Sequence, residues 1–147
     1  MNILSLLYLL LLALSSGLYF VFSNTIMKAL SDSNQEIATL TMRKINKVIQ
    51  NSIFLFVFLG PLLLGSVLSW YHLSANGSFW ILLSFLTYLL GVFLITILVN
   101  VPMNNRLDKS IDESYWPYYL EYWTRFNTVR YLCCLLALIF LFLELTT

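Results

Sequence analysis

The sequence predicts an all-α fold: an integral membrane, up-down four-helix bundle with a short interfacial helix between spans one and two. Three observations carry this. Of 147 residues, 60% are hydrophobic and only 10% charged, where an average soluble domain is about 25% charged. No Asp, Glu, Lys or Arg stands between Met1 and Met27 or between Val48 and Asn105. The eight basic residues fall in two segments, Lys28 to Lys47 and Arg106 to Arg130, that separate the apolar runs. Four spans of about 20 residues each use most of the chain. It reads as one domain over residues 1–147, with no room for a separate water-exposed catalytic domain.

The elements follow in order. The run Ile3 to Phe22 is long enough to cross the hydrocarbon core and sets span one at about residues 3–27. It lacks the basic n-region of a secretory signal and is read as a retained span. Ser33-Asn34-Gln35-Glu36 has capping-box spacing. Ile37, Leu40, Ile45 and Val48 follow, with Arg43, Lys44 and Lys47 among them, which makes a short interfacial helix. The next charge-free stretch is too long for one helix. Ser74-Ala75-Asn76-Gly77-Ser78 is a turn cluster that divides it into spans at about 51–73 and 79–101. Asn76-Gly77-Ser78 also matches a glycosylation sequon, read here as part of the turn.

Pro102 removes a backbone donor near the end of span three and frees the Leu98 carbonyl, which Asn100 or Asn127 is placed to satisfy. Ser110-Ile111-Asp112-Glu113 repeats the capping-box signal. Trp116, Tyr118, Tyr119, Tyr122 and Trp123 form an aromatic belt, and Pro117 suits the first turn of the last helix. Span four, about 123–145, is long enough if Arg130 snorkels to the interface. The positive-inside rule puts both basic connections on the cytoplasmic side and both termini on the non-cytoplasmic side of a multi-pass protein.

In lipid, small and polar residues at helical spacing mark the bundle interior. Span one offers Ser5, Tyr8, Ser15, Tyr19 and Ser23; span two Asn51, Pro61, Gly65 and Ser69; span three Ser84, Thr87 and Gly91; span four Trp123, Asn127, Arg130, Cys134 and Ala137. Such stripes serve one bundle or a homo-oligomer equally, and membrane lipid is the expected surrounding partner.

Residue inventory excludes several functions. The net charge of +1 gives no basic surplus for nucleic acid. A quinone-linked disulfide oxidoreductase needs Cys-x-x-Cys pairs, whereas the two cysteines here, Cys133 and Cys134, are adjacent and read as packing residues. The single histidine, His72, cannot form a bis-histidine haem site, and the charge-free stretches lack the carboxylate of a proton-coupled exporter. No metal site and no cofactor are implied.

The polar residues near the basic end are harder to explain as packing. Asn46, Asn51, Asn100, Asn104, Asn105, Arg106, Arg125, Asn127 and Arg130 fall at about one depth, and polar groups there suggest function. They are candidates for a site that binds an aromatic, weakly acidic or quinone-like lipid-soluble molecule. Arg130 would stabilise a phenolate or enolate, Asn127 would orient a carbonyl, and Trp123 and Tyr119 would stack on rings. The alternative is that the asparagines cap a broken helix.

Three segments together resemble the anthrone oxygenase family. They are Phe22 to Leu30 running on to Met42, Ile45-Asn46 and Asn51-Ser52-Ile53-Phe54; Asn100-Val101-Pro102-Met103-Asn104-Asn105-Arg106-Leu107; and Trp116 and Tyr119 leading to Trp123-Thr124-Arg125-Phe126-Asn127-Thr128-Val129-Arg130. The resemblance implies a four-span membrane protein and, for fungal members, cofactor-independent use of dioxygen to turn anthrones into anthraquinones. It makes Arg130 and Asn127 the candidate catalytic pair, with Asn46, Asn51, Asn100, Asn104, Arg106, Trp123 and Thr128 as candidate substrate contacts. The family pattern has histidine where this chain has Thr128, and proline where it has Ser52. Without that histidine, a base would have to come from Tyr19, Tyr88 or a water on Thr128, or the substrate must ionise on Arg130 alone. Three classes stay open: an oxygenase, a non-catalytic lipid or quinone binder, and a structural subunit whose polar end docks a partner. Partner docking predicts a polar cluster filled by its own side chains, without a pocket.

Overall fold

The computed structural model describes residues 3–75 and 79–146. The Asn76-Gly77-Ser78 turn and sequon lie outside the described residues. The elements are α1 (Ile3–Ser31), α2 (Gln35–Val48), α3 (Ser52–Ser74), α4 (Trp80–Lys109) and α5 (Trp116–Thr146), with a single 3₁₀ turn, Glu113–Tyr115, leading into α5. Helices α1, α3, α4 and α5 are long and apolar enough to cross a membrane, and no strand occurs among the described residues. The molecule is an all-α membrane helical bundle.

Each long helix packs on the next, and α5 closes the ring onto α1. The stripe residues set this arrangement. Tyr8 shares a hydrogen bond with Ser84 at 3.0 Å, and Ser84 donates to the Ala137 carbonyl at 2.8 Å, tying α1, α4 and α5 together. Ser15 donates to the Val57 carbonyl at 3.1 Å, and Tyr88 to the Phe58 carbonyl at 2.8 Å. Residue numbers rise along one helix as they fall along its neighbour, so the helices alternate up and down. Gly91 lies where a methyl group would collide with Cys133 of α5, which is why no side chain stands there. At the end away from the basic residues, His72 Nδ1 meets Glu144 Oε1 at 3.0 Å and ties α3 to α5, so the lone histidine is a clamp.

Both expected capping boxes shift. Asn34, not Ser33, caps α2, its side chain accepting from the Glu36 N–H at 2.8 Å. Asp112, not Ser110, caps the 3₁₀ turn, accepting from the Ser114 N–H at 3.1 Å and the Ser114 hydroxyl at 2.6 Å. Those two bonds hold the Asp112 carboxyl below the usual carboxylate range. Ser110 serves the C-terminus of α4 instead. Arg43 of α2 donates to the Leu107 carbonyl at 2.9 Å and to the Ser110 carbonyl and hydroxyl at 2.6 and 2.8 Å, so a cation finishes the helix and docks α2 beneath it.

Helix α2 is the short helix expected between spans one and two. Ala38, Thr39, Met42 and Asn46 are buried against the bundle, while Ile37, Leu40 and Val48 point outward. An outward apolar face suits a helix lying along a membrane surface. The aromatic belt divides in the same way. Tyr118 is exposed, but Trp116, Tyr119 and Trp123 are buried in a core with Met42, Met103 and Leu107.

Two helices depart from regular α geometry. A π turn occupies Phe22–Ile26 in α1, and two more, Leu89–Leu94 and Thr96–Asn100, occupy α4. The cause is legible in α4: the buried residues Ser84, Tyr88, Val92, Thr96 and Asn100 recur every four positions. In a regular helix each such interval drifts by about 40°, and the wider π turns absorb that drift. Asn100 and Asn127 are engaged elsewhere, so neither reaches back to the Leu98 carbonyl as the Pro102 argument expected.

Candidate functional site

The π turns of α1 and α4 flank a cavity of about 450 Å³ at the basic end of the bundle. Six of the nine sequence candidates line it: Asn46, Asn100, Asn104, Trp123, Asn127 and Arg130. The roll continues with apolar and aromatic side chains from α1, α3 and α4, among them Tyr19, Phe22, Phe54 and Phe58. A polar cluster closed on itself, as partner docking expected, is therefore not what the end of the bundle holds.

Arg130 is the centre of the site and is only 5% exposed. It does not snorkel. One terminal nitrogen donates to Thr96 Oγ1 at 3.0 Å and the other to Asn127 Oδ1 at 2.7 Å. The guanidinium carbon lies 4.5 Å from the Tyr19 ring centre and 5.5 Å from that of Trp123, within cation–π range. No carboxylate pairs with it among the described residues, and its Nε is buried without a hydrogen-bond partner. A charge held by neutral groups alone remains undercompensated for its loss of water.

Asn127 fixes that charge in place. Its amide nitrogen donates to the Tyr19 carbonyl and to Ser23 Oγ, both at 2.7 Å, while its oxygen receives Arg130. The Tyr19 carbonyl lies three residues before the π turn that begins at Phe22. Asn104 organises the opposite wall, its oxygen accepting from Tyr119 at 2.7 Å and from Trp123 Nε1 at 2.8 Å. Asn46 reaches Tyr119 at 3.5 Å. Tyr119 is thus a wholly buried support for Asn104 and does not line the cavity, whereas Trp123 does. Asn100 donates to the Trp123 carbonyl at 3.5 Å, but its own oxygen is buried and unpaired.

Three candidates lie elsewhere. Asn51 caps α3, accepting from the Phe54 N–H at 3.0 Å, and is exposed. Arg106 is exposed and lies over the Tyr115 ring at 4.5 Å. Thr128 is on another side of α5. Its hydroxyl bonds Ser23 at 3.0 Å and the Thr124 carbonyl at 2.9 Å, and it lines a separate groove with Lys28 and Arg125. The family histidine at this position would therefore face that groove. Of the other proposed bases, Tyr88 donates to the Phe58 carbonyl and lies outside the cavity, whereas Tyr19 lines it.

Sequence reading missed Thr96, the second partner of Arg130. The signal for it was its position four residues before Asn100 and eight after Tyr88, on the line that the π turns keep inward.

The fold and site thus define a membrane helical bundle with a buried, unpaired cation in an aromatic-walled cavity. The chain belongs to the anthrone oxygenase family: residues 54–140, more than half of its length, match the family described as anthrone oxygenase. That match includes Asn100, Asn104, Trp123, Asn127 and Arg130, while Tyr19, Phe22 and Asn46 lie before it. No curated protein and no solved structure matches the chain.

Proposed function

We propose that the protein is a cofactor-independent oxygenase acting on an aromatic, membrane-soluble substrate, with anthrones as the model, at the cavity built around Arg130. The observation that carries this is a buried cation without a carboxylate partner, Arg130, in the cavity wall, where two buried side-chain atoms, Arg130 Nε and Asn100 Oδ1, have no hydrogen-bond partner. Nε needs an acceptor, which an ionised ligand oxygen supplies, and Asn100 Oδ1 needs a donor, which a ligand hydroxyl supplies. The positive-inside rule further places this basic end on the cytoplasmic side, with both termini opposite.

The chemistry follows from the charge. A guanidinium beside the substrate oxygen favours the enolate over the neutral ketone, so the methylene proton leaves to water. The enolate gives one electron to dioxygen, and the resulting radical pair combines to form a carbon–oxygen bond at the former methylene carbon. The peroxide takes up a proton. Loss of the remaining hydrogen from that carbon as a proton breaks the oxygen–oxygen bond, expels hydroxide and forms the carbonyl. The balance is one methylene and one dioxygen to one carbonyl and one water. Arg130 stabilises the anion, Asn127 and Thr96 hold Arg130, and Trp123 and Phe22 supply ring contacts. Thr128 has no part in it.

A second reading is favoured by one feature: among the described residues, no carboxylate and no histidine lines the cavity. On that reading the protein binds the same anion without turning it over. Dioxygen uptake by the detergent-solubilised protein with an anthrone separates the two, with Arg130→Ala and Thr128→His alongside. The oxygenase reading expects uptake above the spontaneous rate, loss of it in Arg130→Ala and little change in Thr128→His. Binding without uptake selects the second reading, and the absence of both refutes each.

A further inference from the structure

The cavity is closed between α1 and α5 and between α4 and α5, and meets the surface elsewhere. Asn127 bonds both the Tyr19 carbonyl and Ser23, and Phe22 packs on Trp123 at 5.6 Å between ring centres, which closes α1 against α5. Arg130 with Thr96, and Asn104 with Trp123 and Tyr119, close α4 against α5. Between α3 and α4 the situation differs. These helices are joined away from the basic end, by Tyr88 on the Phe58 carbonyl at 2.8 Å and by Phe58 stacked on Phe93 at 5.6 Å. Beyond Phe58, toward the basic end, no hydrogen bond links them among the described residues. The rims of this gap are Leu55 on one side and Ile97 and Val101 on the other, with exposures of 47%, 44% and 38%. All three also line the cavity.

We infer that the gap between α3 and α4 is a lateral portal through which the ligand reaches Arg130 directly from the membrane. This rests on the proposed ligand-binding role of the cavity. Leu55 lies one turn inside a helix apolar enough to cross a membrane, so the gap faces hydrocarbon near one interface and not water. Its rims carry no charge, and an ion crossing them would lose its hydration without compensation. The ligand therefore passes in its neutral form and ionises only once beside Arg130. A different edge of the same cavity carries the exposed amides Gln50 and Asn105. That polar edge passes water and the proton. Ligand and proton use separate routes, which keeps the apolar route free of water.

A portal residue alters both rates of binding together, because it raises the barrier without changing either end state. The test uses the full chain in phosphatidylcholine vesicles and a hydroxyanthraquinone dissolved in the lipid, followed through its own visible absorbance in stopped flow. Leu55→Trp and Ile97→Trp should slow association and dissociation by tenfold or more, well beyond any accompanying change in Kd. Val129→Trp, on the lipid-facing side of α5, should change neither rate. The association rate should follow the ligand's mole fraction in lipid. Normal Kd with unaltered rates in both rim variants would overturn the portal alone, and so would slowing confined to Gln50→Trp. Absence of ligand binding in the wild type would overturn the reading of the cavity and the portal with it. If a Trp variant does not fold, Leu55→Ala and Ile97→Ala should raise both rates at least threefold, and unchanged rates would overturn the portal.

Discussion

Arg130 and Asn127 are hydrogen-bonded neighbours, and the structure assigns them opposite dependence on the fold. Asn127→Ala removes two neutral hydrogen bonds, to the Tyr19 carbonyl and Ser23, and one from the guanidinium. Neutral bonds between membrane helices are worth about 0.6 kcal/mol each. The charge-assisted one is worth about 1.5–3 kcal/mol, so the loss should be about 3–4 kcal/mol. Arg130→Met keeps an unbranched apolar stem and removes the guanidinium with its charge. It forfeits two charge-assisted bonds and two ring contacts. It also relieves the desolvation of an ion without a carboxylate partner, a penalty of several kcal/mol. The net change should be under about 2 kcal/mol of either sign. Equilibrium unfolding in mixed detergent–SDS micelles, read by circular dichroism, measures both. If Arg130→Met destabilises as much as Asn127→Ala, the charge is a structural part and its free Nε is not a valence held for a ligand.

Other consequences are equally specific. Gly91→Ala drives a methyl group into Cys133 and should cost about 1–3 kcal/mol of stability in the same assay, with partial recovery when Cys133→Gly is added. Arg43→Gln removes the cation that finishes α4, and amide hydrogen exchange at residues 105–109 should quicken without change near Arg130. The depressed pKa of Asp112 means that its cap contributes stability fully above the ordinary carboxylate pKa, and this is lost as pH falls through the lowered value. Local exchange protection at residues 113–115 should fall over that acidic window in the wild type, and Asp112→Asn should abolish the pH dependence. Thr128→His places the family residue in the groove beside Ser23 and should leave anthraquinone affinity at the Arg130 cavity within about twofold.

Much of this architecture was legible because lipid imposes simple rules. The charge-free runs gave three membrane helices and the apolar run after Arg130 a fourth, and the stripe Trp123, Asn127, Arg130, Cys134 and Ala137 is buried at every position. A regular helix keeps its period, so α5 could be read by counting. Helix α4 could not. Its inward line repeats every four residues through two π turns, so counting by 3.6 selected Thr87 and Gly91 and passed over Tyr88 and Thr96. Arg130 was expected to snorkel, since a lone arginine in an apolar run is otherwise costly. Nothing in the residue string shows that Tyr19, Thr96 and Asn127, from three different helices, converge to hold it. Helix α2 was legible as a short helix between spans one and two for a related reason. In water its apolar residues would turn to the core, whereas at a membrane surface Ile37, Leu40 and Val48 turn outward and Ala38 and Met42 pack inward. Asn51 and Arg106 shared the depth of the site but not its direction, and depth was all the sequence offered.

The claim that Arg130 exists to hold an aromatic anion is tested most directly under argon, where no oxygenation can follow. The measurement is the visible absorption spectrum of an anthrone bound to the reconstituted protein at a pH where the free ketone is neutral. The account predicts the enolate band on binding to the wild type and its absence in Arg130→Met. A bound ligand with the neutral spectrum, or an enolate band that survives in Arg130→Met, would contradict it.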